Sequence, residues 1–138
     1  MPIVSFDFDG VFHNDVIKGR TNYPIESNIN IDELQKHINF RTIRNVVKES
    51  RDNTVIILTS RGKEDKESIR SFLQEVGINR CIKKVYCTDG LPKSEIINKY
   101  NIIRHYDDSK SSLKNIKENS SCQLYRVYPH KNGIIKKY

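Results

Sequence analysis

Apolar and polar positions along the chain follow two periods, one of strands and one of helices. Ile3, Val4 and Phe6 lie within an apolar stretch at 2–8 that carboxylates interrupt at its end, the pattern of a short buried strand. Residues 11–40 are polar and irregular, with Gly19, Asn22 and Pro24, and a helical turn or two is expected at 32–38. Ile43, Val46 and Val47 recur at helical spacing over 41–50, and Asp52-Asn53 then predicts a turn. The run TVIIL at 54–58 is continuous and rich in β-branched residues, which suits a strand buried on both faces of a parallel sheet. Ile69, Phe72, Leu73 and Val76 stripe one face of a helix at 64–76 that Gly77 stops. Further strands are expected at 83–87, 101–106 and 122–128. Two helices are expected between them, one opening with Pro92 as its first helical residue and one at 109–118. The last stretch, HKNGIIKKY, reads first as a solvated end and second as a contact to a phosphate backbone. From Thr54 onward strand and helix alternate, which calls for parallel βαβ units with right-handed crossovers. The expected fold is a three-layer α/β sandwich with a mostly parallel central sheet, organised as one domain over 1–138, with no internal repeat and no linker.

Composition narrows the class. A chain of 138 residues can bury roughly 70% of its unfolded surface, enough for an ordinary core. No apolar run approaches the roughly 20 residues of a membrane helix, and MPIVSFDFDG turns acidic too early for a signal peptide. Cys81, Cys87 and Cys122 are odd in number and form no CxxC pair, so they read as plain thiols in a reducing, cytoplasmic setting. Lysine and arginine number 24 against 17 acids, a net charge of +7 that either favours anionic partners (nucleic acid, phosphorylated substrates or an acidic surface) or merely reflects biased codon usage in an Ile-, Asn- and Lys-rich chain.

In an open α/β sheet, function gathers beyond the carboxyl ends of the strands. Asp7-Phe8-Asp9-Gly10 follows the first strand, Thr59-Ser60-Arg61-Gly62 the second, Asp89-Gly90-Leu91-Pro92-Lys93 the third and Asp107-Asp108-Ser109 the fourth. Each has an ordinary explanation taken singly: a turn, a helix cap or a solvated lysine. Taken together, carboxylates, hydroxyls and a lysine would have to meet at one sheet edge by coincidence. Arg61 reads first as a solvated loop arginine and second as a holder of another substrate phosphate. His13 and His105 are expected to pack or face solvent more than to touch substrate. Tyr23 and Tyr106 are expected as partial core rather than as platforms for a base.

SFDFDGVF, VIILTSR, LPKSEII and HYDDS resemble, in order, the four motifs of the haloacid dehalogenase superfamily, whose phosphatase members share a Rossmann-like core. The resemblance implies that Asp7 is the nucleophile and forms an aspartyl-phosphate. It implies that Asp9 protonates the leaving oxygen and then activates water. Asp7 and Asp107 would hold Mg²⁺ by their side chains and Asp9 by its backbone carbonyl, with Asp108 close by or bridged through water. Thr59 would bind a phosphoryl oxygen beside Ser60 and Arg61, and Lys93 would offset the charge on Asp7. The spacing of the motifs leaves no room for a large cap domain. An open, basic site favours a macromolecular phosphate, and the domain is similar in size to the phosphatase half of polynucleotide kinase-phosphatases. The expected function is therefore a Mg²⁺-dependent phosphatase of nucleic-acid ends, with the 3′-phosphate favoured. Small phosphoesters, phosphoproteins and a silent phosphate-binding module are the alternatives.

Overall fold

A computed structural model describes residues 1–15 and 30–138 of the chain. In chain order the elements are β1 (Ile3–Phe6), α1 (Ile31–Gln35), α2 (Phe40–Ser50), β2 (Thr54–Thr59), α3 (Lys66–Val76), β3 (Ile82–Cys87), α4 (Lys93–Lys99), β4 (Ile102–Asp107), α5 (Lys110–Asn119), β5 (Gln123–Tyr128) and β6 (Ile134–Lys137). Short 3₁₀ turns at Lys63–Asp65 and Asn79–Cys81 flank α3. The strands form one sheet in the order β3-β2-β1-β4-β5-β6. Every pairing from β3 to β5 is parallel, and β6 joins β5 antiparallel.

Strand alternation divides the core between the two faces. Val55 and Ile57 of β2 pack on one side with Val46 of α2 and with Ile69, Phe72 and Leu73 of α3. Ile56 and Leu58 pack on the other with Ile97 of α4 and with Leu113 and Ile116 of α5. Each side chain of this kind contributes roughly 1.5–3 kcal/mol when fully buried. An aromatic ladder crosses three strands on the α2 side: Tyr106 stacks on Phe6 at 4.2 Å between centroids and on Tyr125 at 5.0 Å. Tyr106 is thus core, with its hydroxyl donating to Glu49 Oε2 (2.9 Å).

Several expectations shift. β1 ends at Phe6 because the Phe8 carbonyl accepts from Val11 and Phe12 N–H (3.2 and 3.0 Å), curling the chain off the sheet edge. Pro92 caps α4 from an extended conformation (ψ 131°), and Lys93 is the first helical residue. The HKNGIIKKY segment is not a solvated end. Its Ile134–Lys137 pairs with β5, and Asn39, the α2 cap, donates from Nδ2 to the Gly133 carbonyl at 3.4 Å. The irregular segment expected at 11–40 lies partly outside the described residues, and Tyr23 lies wholly outside them. Among the described residues no large cap covers the sheet edge: between β2 and β3 the chain makes only α3 and its flanking 3₁₀ turns. Among the described residues no helix is long and apolar enough to cross a membrane.

Candidate active site at the carboxyl edge of the sheet

Neighbouring parallel strands, β1 and β4, deliver Asp7 and Asp107 to the same edge. Asp7 N–H still donates to the Tyr106 carbonyl (2.9 Å), so the first carboxylate is fixed by the sheet itself. Asp107 ends β4, and its Oδ1 accepts from Ser109 N–H at 3.0 Å. α4 opens with Lys93, buried, its ammonium 3.0 Å from Asp7 Oδ1 and 2.8 Å from Asp107 Oδ2. Asp7, Asp107 and Asp108 each offer a carboxylate oxygen, and these atoms lie within 4.8 Å of one another.

The three carboxyls differ because their donors differ. Burial pushes Asp7 well above the usual carboxylate range, the Asp107 charge adds to this, and Lys93 opposes it. Burial acts on Asp107 too, but Lys93 and His105 hold it below the usual range. Burial and the Asp107 charge lift Asp108 to about 7. Three carboxyls crowd one ammonium, which is the electrostatic setting that a hard divalent cation relieves. Oxygen ligands from carboxylates are the set that Mg²⁺ takes. Gly10 makes the crowding possible: its φ is +75°, and a Cβ there would run into the Asp108 carboxylate.

Asp9 is held apart from this cluster. Arg61 donates to it twice, Nε to Oδ2 at 2.7 Å and Nη2 to Oδ1 at 2.9 Å. Arg61 Nη1 also reaches Asp65 Oδ2 at 3.3 Å. Arg61 is therefore buried in a carboxylate fork, a correction to the solvated loop arginine expected, and burial on both sides explains why the pair is bidentate. His13 adds a third bond. Asp15 N–H donates to His13 Nδ1 (3.2 Å), so the proton sits on Nε2, which donates to Asp9 Oδ1 at 3.0 Å. Burial alone would raise Asp9, and the His13 and Arg61 bonds instead hold it at about 2.

The loop after β2 closes the arrangement. Thr59 is buried, and its Oγ1 accepts from Arg61 N–H at 3.3 Å. Thr59, Ser60 and Arg61 carbonyls accept from Thr88, Gly90 and Asp89 N–H, which ties this loop to the one preceding Lys93. The structure thus gathers Asp7, Lys93, Asp107 and Asp108 into one group and Asp9 with Arg61 into a second, with Thr59 beside the latter. Ser60 takes part through its carbonyl.

Sequence reasoning misses the roles of both histidines. His105 is fully buried, and burial pushes it below its usual value, so Nε2–H donates to Asp107 Oδ2 (2.8 Å) and Nδ1 accepts from the Ser5 hydroxyl (2.6 Å). The signal is local: residues 105 and 107 share one face of a strand, and residues 9 and 13 are four apart.

No protein-family profile matches the chain. Uncharacterized protein L684 of Acanthamoeba polyphaga mimivirus is 36% identical over 127 residues, a match that takes in 79% of this chain and 24% of that protein. The chain thus spans about a quarter of the length of that relative. Two solved structures share the architecture. One is the core domain of a protein assigned as a phosphoglycolate phosphatase from Streptococcus pneumoniae TIGR4, with a TM-score of 0.50, 12% identity, and 89% of this chain and 77% of that one covered. The other, from Thermotoga maritima, is assigned as a beta-phosphoglucomutase, with a TM-score of 0.52, 13% identity and 96% of each chain covered. With the strand order and the open edge, these likenesses give the chain a haloacid dehalogenase-like fold.

Proposed function

We propose that the chain is a Mg²⁺-dependent phosphohydrolase acting through an aspartyl-phosphate on Asp7, and that its substrates are phosphorylated nucleic-acid ends, the 3′-phosphate in preference. The observation that carries the chemistry is the Asp7–Lys93–Asp107 triad at the sheet edge, with Asp108 completing an oxygen cluster. A carboxylate oxygen of Asp7 attacks phosphorus, and the bond to the leaving oxygen breaks with its electron pair. Asp9 gives that oxygen a proton, then takes one from the water that attacks the acyl-phosphate, releasing inorganic phosphate and restoring Asp7. Asp7, Asp107, Asp108 and the Asp9 carbonyl would hold Mg²⁺, and the bound ion would supply the positive charge that a carboxylate needs to approach an anionic phosphate.

Lys93 balances the charge on Asp7, and Thr59 Oγ1 with the Ser60–Arg61 loop supplies donors for phosphoryl oxygens. Asp9 is a poor acid while Arg61 grips it. An incoming phosphate dianion competes for the guanidinium, and Asp9, freed from Arg61, takes up from solvent the proton that it gives to the leaving oxygen. The nucleic-acid half of the reading rests on the net charge of +7 and on the sheet edge, over which no large cap lies among the described residues. The second reading, a phosphatase of small phosphoesters, draws support from the two structural neighbours, whose names refer to phosphorylated small molecules.

A panel of phosphoesters assayed for phosphate release tests the chemistry. Turnover with Mg²⁺, its loss in excess chelator and its return on adding Mg²⁺ are the expected results. Full activity in chelator would remove the metal from the mechanism. Phosphate binding without release under any divalent metal would establish the binding module instead.

A further inference from the structure

Residues 119–138 contain four lysines and arginines and no aspartate or glutamate. They fold as β5, a turn and β6, and the antiparallel register sets Arg126 directly opposite Lys136. Like charges directly opposite on paired strands destabilise the pair. Lys131 comes in from the turn, and the three cations gather on one ring: the Arg126 guanidinium lies 4.8 Å, Lys131 Nζ 5.6 Å and Lys136 Nζ 5.9 Å from the Tyr128 centroid. An aromatic ring offsets part of this repulsion, but only part. Among the described residues no carboxylate pairs with any of the three. Arg126 Nε is buried without a hydrogen-bond acceptor. A cluster that is costly alone and holds a buried donor without an acceptor is one that an anion completes.

Its place in the fold says which anion. β5 runs parallel to β4 with Arg126 level with Asp107, one strand spacing of about 4.8 Å away. Leu124 packs with the α4–α5 core, so Arg126 and Tyr128, at alternate positions, project to that same face, where α4 brings Lys93 to Asp107. We propose that Arg126, Tyr128, Lys131 and Lys136 form a second anion site, which holds the phosphodiester next to the reacting phosphate of a nucleic-acid strand. This rests on the nucleic-acid reading above and extends it by locating where the strand leaves the catalytic edge.

The test is the ratio of kcat/KM on a 3′-phosphorylated oligonucleotide to that on the matching nucleoside 3′-monophosphate. It is measured over a range of salt in wild type, in Lys131→Ala/Lys136→Thr, and in Lys83→Ala/Lys84→Ala, whose lysines lie on β3 at the opposite edge of the sheet. The β5–β6 variant should lower the ratio by about tenfold or more. It should also flatten the dependence of log(kcat/KM) on log[salt] by about 0.7 for each phosphodiester that the variant no longer neutralises. The β3 variant should leave both as they are. Lys136→Thr should also raise Tm by a few degrees, since it removes an opposed charge. An unchanged ratio and slope in a wild type that prefers the oligonucleotide would overturn the second site and leave the nucleic-acid reading standing. A wild type without that preference would overturn both.

Discussion

Asp7 and Asp9 sit two positions apart and face different partners, and single substitutions separate their roles. Asp7→Asn keeps the size of the side chain and a donor–acceptor end but removes the nucleophilic anion. Turnover should fall by at least ~10³-fold, about 4 kcal/mol of barrier, in a steady-state phosphate-release assay. Near wild-type turnover would exclude attack by Asp7. Asp9→Asn should be almost as damaging with an alkyl phosphate, whose leaving oxygen needs a proton. With p-nitrophenyl phosphate it should still give a burst of nitrophenol, because that leaving group departs unprotonated, and a slow steady state after it. Equal loss on the two substrates would count against proton donation by Asp9. Arg61→Ala removes the fork on Asp9 and, under the proposed function, a donor for substrate, so KM should rise together with a fall in kcat. Arg61→Lys should not rescue, since one ammonium cannot reproduce the two-pronged bond.

At the level of elements, α2 is tied to the sheet by charge as well as by apolar packing. Glu49 near its end accepts from Arg104 Nε and Nη2 (2.8 and 2.9 Å), from the Tyr106 hydroxyl (2.9 Å) and from Asn53 Nδ2 (3.1 Å). Burial would raise the Glu49 carboxyl, and the bonds from Arg104 and Tyr106 outweigh it and hold it below its usual value. A carboxyl depressed in this way stabilises the fold above its unfolded pKa of about 4.3 and loses that contribution as pH falls through the lower folded value. Glu49→Gln should therefore lower Tm near neutral pH, with the gap from wild type closing below about pH 4. A gap that stays constant into acid would mean that shape rather than charge matters at this position. Asn39→Ala should cost roughly 1–2 kcal/mol in denaturant unfolding, because Oδ1 caps α2 at Arg41 and Thr42 N–H while Nδ2 holds the β5–β6 turn. This level is also where the sequence speaks most clearly and where it falls silent. TVIIL, the Ile69–Phe72–Leu73 stripe and the four strand-end motifs follow from local periodicity, and their elements lie within a residue or two of the expected bounds. β6 is illegible because IIKK has no alternation to read and, among the described residues, β5 is its one strand partner. Arg61 is illegible because its burial is decided by Asp9, 52 positions away, which no local pattern encodes.

For the whole molecule, the balance of 24 cations to 17 acids and a sheet edge without a large cap among the described residues bear on one question: how much substrate lies beyond the reacting phosphate. A mononucleotide offers nothing there. A strand offers phosphodiesters, and each one neutralised by a lysine or arginine releases about 0.7 of a counterion from single-stranded nucleic acid. Four substrates separate the cases: an oligonucleotide with a 3′-phosphate, one with a 5′-phosphate, and the two matching mononucleotides, each at low and moderate salt. With a strand end as substrate, kcat/KM should favour one oligonucleotide over its mononucleotide by roughly tenfold or more at low salt, and salt should erode that preference steeply. Under the proposed function the 3′ end is the one expected to win. A win for the 5′ end would reverse the direction in which the strand lies across β4 and β5 while keeping the same cations on its phosphates. A small-phosphoester enzyme would instead turn over mononucleotides as fast as oligonucleotides or faster, with a shallow response to salt. Equal rates on all four substrates, unmoved by salt, would leave the Asp7 chemistry intact and remove nucleic acid as the substrate.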